Sequence, residues 1–295
     1  MIDFINTNTF RDMADYVIML NDNKPFTTDI LKKDVIIYCK RDYIDYLFSN
    51  LTFSGRKYIL ITHASDFPVG LTEFSKKPKC IKKWYAQNIS YSHSDLISIP
   101  IGLSPHKGSD ETPLDIEWFV NKIDEFKQTQ KIKEIIYCNW TTANNSKIRG
   151  NILSKLEANK IKYKWDYPNF TDKENEIIQS KFKVMKEGKS TKQEISKLLH
   201  YYDYCNEMSK YKFVVSPPGN GEDCHRTWEA LYMGAYPIVI KSPIFDEFKD
   251  LPIIQVNNYS DVTYELLNSY LDKEYNYEKL YMNYWKKRII NELKL

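Results

Sequence analysis

Between Tyr211 and Ile240 the chain reads YKFVVSPPGNGEDCHRTWEALYMGAYPIVI, and few architectures can accommodate that order of residues. An almost wholly apolar run, Tyr211–Ser216, has the character of a strand covered on both faces. Pro217-Pro218 ends it, because proline lacks the N–H that a ladder needs. Gly219 and Gly221 follow, expected to take up backbone angles closed to other residues and to let the peptide approach a ligand. A helix is predicted over Cys224–Met233, Gly234 turns the chain, and a second apolar run, Tyr236–Ile240, reads as another strand. Two covered strands joined by a helix form a βαβ unit, which requires a parallel sheet with ligands at the carboxyl ends of its strands.

The rest of the chain repeats that grammar. Strands are predicted at Val35–Lys40, Lys57–His63, Cys80–Asn88 and Leu96–Leu103, each bounded by turn residues such as Ser54-Gly55 and Lys77-Pro78. Ser104–Pro113, SPHKGSDETP, is the best linker candidate. Beyond it come helix 116–126, strand Glu134–Trp140, helix Lys147–Ala158, a short strand at Lys162–Trp165 and a polar, helix-prone region up to Met208. After the opening stretch follow a strand at Ile253–Val256 and helices at Asp261–Leu271 and Tyr277–Leu293. A length of 295 residues is more than one core usually organises. The expectation is an α/β protein with a first domain over 1–113, a second over 114–273 and a closing helix over 274–295. That helix either packs back on the first domain, packs locally or pairs two chains.

Charge and cysteine usage narrow the class. With 42 basic and 39 acidic residues the net charge is +3, too balanced to point to nucleic acid. The five cysteines are scattered without a CxxC pair, which suggests neither a zinc site nor a disulfide framework. The first fifteen residues are polar and acidic, unlike a signal peptide, and no apolar run reaches the length of a membrane span. A cytoplasmic protein is expected.

The helix after SPPGNG carries the chemistry. At 100° per residue His225, Arg226, Glu229 and Met233 share one side, while Cys224, Thr227, Trp228 and Leu231 share the other. The first turn of a helix presents unpaired N–H groups that suit a phosphate, and the planar fork of Arg226 matches phosphate oxygens. Glu229, one turn deeper, is placed to accept hydrogen bonds from a diol such as that of a ribose. The competing view is an ordinary i,i+3 ion pair between Arg226 and Glu229 with two plain turn glycines.

These residues resemble the carboxyl-terminal signature of exostosin-like glycosyltransferases, in particular the branch that includes ribitol xylosyltransferase-like proteins. KKWYAQN (Lys82–Asn88) with IPIGL (Ile99–Leu103), and NWTTANNSKIRGNI (Asn139–Ile152), are similar to further parts of the same branch. The resemblance implies the GT-B fold, two Rossmann-like domains facing each other across a cleft. It also implies transfer of a sugar from a UDP-sugar, UDP-xylose among them, to a glycan or glycoprotein acceptor, with inversion and without a metal or cofactor beyond the co-substrate. By position it assigns donor contacts to Arg226 and Glu229, with Ser216, Gly219, Asn220 and Gly221 lining the pocket. A non-catalytic nucleotide- or sugar-binding protein and a nucleotide-sugar epimerase are the alternatives. No DxD triplet occurs, which argues against the metal-dependent glycosyltransferase fold.

An inverting transfer needs a base for the acceptor hydroxyl. ITHASDFP (Ile61–Pro68) places Asp66, the first candidate, and His63, the second, directly after a strand; the bland alternative is a turn-forming Asp and a solvated His. Asn88 either contacts acceptor or sugar hydroxyls or simply ends its strand. Arg149 is a donor-binding candidate or a solvated helical arginine, and His225 either touches the donor or pairs with Glu229. Trp84 reads as core, whereas Trp140 is open between core and ring stacking.

Overall fold

The computed structural model describes residues 3–6, 8–19, 34–51, 55–104, 114–166 and 201–294. It is an α/β protein with two parallel sheets of five strands each. The first sheet contains β1 (Tyr16–Ile18), β2 (Val35–Lys40), β3 (Tyr58–His63), β4 (Ile81–Ala86) and β5 (Leu96–Ser98), in consecutive order. Short helices α1 (Thr9–Asp12), α2 (Ile44–Asn50) and α3 (Leu71–Ser75) accompany it. All six residues of β3 are buried, the pattern that a central parallel strand demands.

The second sheet contains β6 (Ile132–Cys138), β7 (Tyr163–Trp165), β8 (Tyr211–Val215), β9 (Tyr236–Ile240) and β10 (Ile254–Val256). Its helices are α4 (Leu114–Gln128), α5 (Ser146–Arg149), α6 (Ile152–Ala158), α7 (Tyr201–Met208), α8 (His225–Tyr232) and α9 (Tyr264–Asn268), and α10 (Met282–Lys294) closes the described chain. The strand order is β10-β9-β8-β6-β7. From β6 the chain steps outward to β7 and then returns across β6 to β8, so the direction of winding reverses between β6 and β8.

Most predicted strands stand where their apolar runs and turn residues put them. Among the strands and α-helices, four were not foreseen, β1, α1, α2 and α3, each of three to seven residues and too short to show a period. The single helix expected over Lys147–Ala158 is two, α5 and α6, broken at Gly150-Asn151. The expected linker lies outside the described residues except for Ser104, which is buried. Residues 167–200 of the polar region before Met208 also lie outside them.

The two sheets share one apolar core. Trp285 of α10 meets Phe10 of α1 at 6.3 Å, Tyr85 of β4 at 6.5 Å and Phe248 at 6.0 Å, and Phe248 in turn meets Trp228 of α8 at 4.9 Å. Backbone and side-chain bonds secure the same helix: Met282 N donates to Asp3 O at 2.7 Å, and Lys82 Nζ to Glu292 O at 2.8 Å. A second cluster, with Trp140, Ile152, Phe213 and Ile238, covers the other face of the second sheet. Among the described residues no helix is long and apolar enough to cross a membrane.

Candidate functional site

In open α/β sheets the crevice for a ligand lies at the carboxyl ends of the strands where the winding reverses. Here that place is between β6 and β8, bordered by the segments Asn139–Asn145 and Ser216–Cys224. The second segment is held taut. Ser216 N donates to Ile238 O, its hydroxyl bonds Thr227 Oγ1 at 2.8 Å, and Gly219 N donates to Gly221 O, which leaves Asn220 exposed at the tip of the turn.

Arg149 clamps this loop from the β6 side. Its Nε donates to Pro218 O at 2.9 Å, Nη2 to Pro217 O at 3.1 Å and Nη1 to Thr141 O at 3.0 Å, and Asn145 Nδ2 adds a bond to Gly219 O at 3.2 Å. At 7% exposure Arg149 is not the solvated arginine that its helical setting suggested. Five N–H donors in a rigid fork suit it to gathering carbonyls that a proline pair cannot satisfy within a ladder.

Gly219 and Gly221 serve a purpose other than the one expected. Neither has a positive φ; among the described glycines that angle occurs at Gly55, Gly102 and Gly234. What they provide is space. A Cβ on Gly219 would lie 3.1 Å from Arg149 Nη2, and one on Gly221 would lie 2.9 Å from Asn88 Nδ2 and 3.3 Å from Asp66 Oδ1.

Those last contacts bring the loops after β3 and β4 against the loop before α8. Asn88, buried and left-handed at φ +55°, accepts from Asp223 N at 2.8 Å and donates to Ser65 O at 2.9 Å. Its amide bridges the two sheets. Asp66 is exposed beside Gly221. His63, by contrast, is the last residue of β3 and fully buried, so it is neither a loop residue nor solvated. Its Nε2 donates to Pro100 O at 3.2 Å, while Nδ1 is buried without a partner. Burial disfavours the imidazolium and lowers the pKa to about 4.

Sequence reasoning missed Asp223. Its carboxylate, 4% exposed, accepts from Ile101 N and Trp228 Nε1, both at 2.8 Å. Burial outweighs these bonds and raises its pKa to about 7. His225 Nδ1 donates to Gly102 O at 2.7 Å. The run Pro100-Ile101-Gly102 is therefore held by His63, Asp223 and His225 in succession. No pattern in the sequence distinguishes Asp223 from an ordinary turn-forming acid.

Helix α8 is buried more completely than its amphipathic reading implied, since Thr227 to Tyr232 are all inside. Glu229, at 2% exposure, accepts from Tyr204 Oη at 3.1 Å. Arg226 is half-buried, its Cζ 6.0 Å from the centre of the Tyr204 ring and its Nε buried without a hydrogen-bond partner. The N-cap residue Cys224 provides no side-chain cap to the first turn. A guanidinium with an unanswered donor beside a helix start without a side-chain cap has the chemistry to accept an anion. Trp84, Tyr85 and Trp140 are all buried, with Trp140 Nε1 directed at Arg149 O, so each belongs to the core.

A cavity of about 310 Å³ opens near α7, lined by Lys164, Asp166, Asp203, Asn206, Glu207 and Lys210. It contains none of the residues singled out from the sequence. Among the described residues no group of three or more His, Cys, Asp or Glu side chains could hold a metal. No protein-family model matches the chain, and no curated protein matches it.

Proposed function

We propose that this chain is a glycosyltransferase of the exostosin-like type that takes a sugar from a UDP-sugar. The observation that carries the reading is Arg226, a half-buried arginine whose Nε has no partner, at the start of α8 where the winding of the second sheet reverses. In this reading the two sheets are the Rossmann-like halves of a GT-B enzyme, and the crevice between them admits donor and acceptor. The diphosphate lies on the first turn of α8 against Arg226, and the ribose hydroxyls donate to Glu229. Arg149 acts indirectly, by fixing the carbonyls of Pro217 and Pro218.

Asp66 is the accessible member of the two base candidates, and its carboxylate stands beside Gly221 of the donor loop. It takes the proton of the acceptor hydroxyl as that oxygen bonds the anomeric carbon. The bond from that carbon to the diphosphate oxygen breaks, and Arg226 with the helix start stabilises the departing charge. Attack from the opposite side inverts the anomeric centre.

Calorimetry with UDP tests the assignment. Arg226→Ala is expected to keep the fold and to weaken UDP binding by about ten- to a hundredfold, the worth of one or two charge-assisted hydrogen bonds. Unchanged affinity in a folded variant refutes it.

A further inference from the structure

Tyr204 lies on α7, outside every stretch that suggested a site, yet it touches both side chains on which the donor reading rests. Its hydroxyl donates to Glu229 Oε2 at 3.1 Å, and its ring faces the Arg226 guanidinium, with Cζ 6.0 Å from the ring centre. Behind it the Tyr137 ring stands 6.4 Å away and is itself tied to Asp166, Tyr137 Oη donating to Asp166 Oδ2 at 2.9 Å. Tyr137 also stacks on Tyr211 at 5.3 Å. The tyrosine is thus braced from β6 and β8 and can hold its own two contacts in place.

Resting on the reading of Arg226 and Glu229 as the donor site, we propose that Tyr204 is a positioning residue. It makes the crevice selective for a ribonucleoside diphosphate over its 2′-deoxy counterpart. A carboxylate recognises a diol only when its oxygens are fixed against the two hydroxyls; a rotating carboxylate gives up that discrimination to water. The Tyr204 hydroxyl holds one of those oxygens, Oε2, in place. The face of its ring, negative by its quadrupole, supports the guanidinium in the same orientation. The site can then read the sugar edge and the phosphates of one ligand together.

The test compares UDP with 2′-deoxy-UDP by calorimetry on the full chain. Wild type is expected to prefer UDP by about tenfold, the value of one hydrogen bond to a charged group. Tyr204→Phe keeps the ring and removes the hydroxyl. It is expected to lose most of the affinity for UDP while changing that for 2′-deoxy-UDP little, so that the ratio falls towards one. A purely structural role would weaken both nucleotides alike, and a retained ratio in Tyr204→Phe overturns this inference alone. Equal binding of the two nucleotides by wild type overturns it without a variant. If wild type binds neither, the donor reading fails and takes the inference with it.

Discussion

Acid is expected to act on the junction between the sheets through two buried groups that oppose each other. In the folded chain Asp223 stays protonated up to about pH 7, whereas an exposed aspartate ionises near pH 4. Its stabilising contribution is complete below about pH 4 and is lost as the pH rises to about 7, by about 1.4 kcal/mol per unit and about 4 kcal/mol in all. His63 runs the other way. It stays neutral down to about pH 4 when folded, while an exposed histidine takes up its proton near pH 6.5. Its contribution is complete above about pH 6.5 and is lost as the pH falls towards 4, again by about 1.4 kcal/mol per unit. Over their common range the two slopes cancel. Asp223→Asn removes one of them. The amide also replaces one acceptor oxygen facing Ile101 N and Trp228 Nε1, but that cost does not vary with pH. Urea unfolding followed by tryptophan fluorescence at pH 4.5 and 6.5 measures the difference between variant and wild type, in which all other titrations drop out. The deficit of the variant is expected to be about 3 kcal/mol larger at pH 4.5 than at pH 6.5. A deficit independent of pH refutes the reasoning.

Two further substitutions probe the loop before α8. Arg149→Ala strands the carbonyls of Thr141, Pro217 and Pro218 and is expected to cost about 3–5 kcal/mol in urea unfolding, with Arg149→Lys recovering only part because an ammonium cannot span the fork; wild-type stability in the lysine variant contradicts this. Gly221→Ala pushes a methyl to 2.9 Å from the Asn88 amide and is expected to cost about 1–3 kcal/mol by breaking its bond to Asp223 N. Thermal unfolding of the double variant with Asn88→Ala is expected to show much less than the sum of the two single losses, since both break one bridge, and full additivity counts against it.

What could be read from the residue order and what could not differ in physical kind. Strands β3, β8 and β9 were legible because a strand covered on both faces must be apolar along its length, and proline or glycine marks where it stops. The βαβ unit around α8 followed from them. The burial of Asn88, Asp223, His63 and Arg149 was not legible, because each is inside only by virtue of partners supplied elsewhere. Asp223 meets Ile101 across 122 residues and Asn88 across 135. Alone, an aspartate or an asparagine signals a turn. The glycines show the same limit: SPPGNG suggested unusual backbone angles, whereas the two positions are instead crowded by Arg149 and Asn88. Tyr204 was hidden because its helix precedes the motif and only the folded chain sets its hydroxyl on Glu229.

The seating of Trp285 among Phe10, Tyr85 and Phe248 has a bearing on how the molecule is made. A ribosome produces β1 to β5 before the second sheet, yet the aromatic plug for the first sheet is synthesised only after all of the second. Until it arrives, the face of β3 and β4 that it covers is open to water and to other nascent chains, the kind of exposure that chaperones shield. Of the two sheets, the one made earlier waits for a segment made after the other.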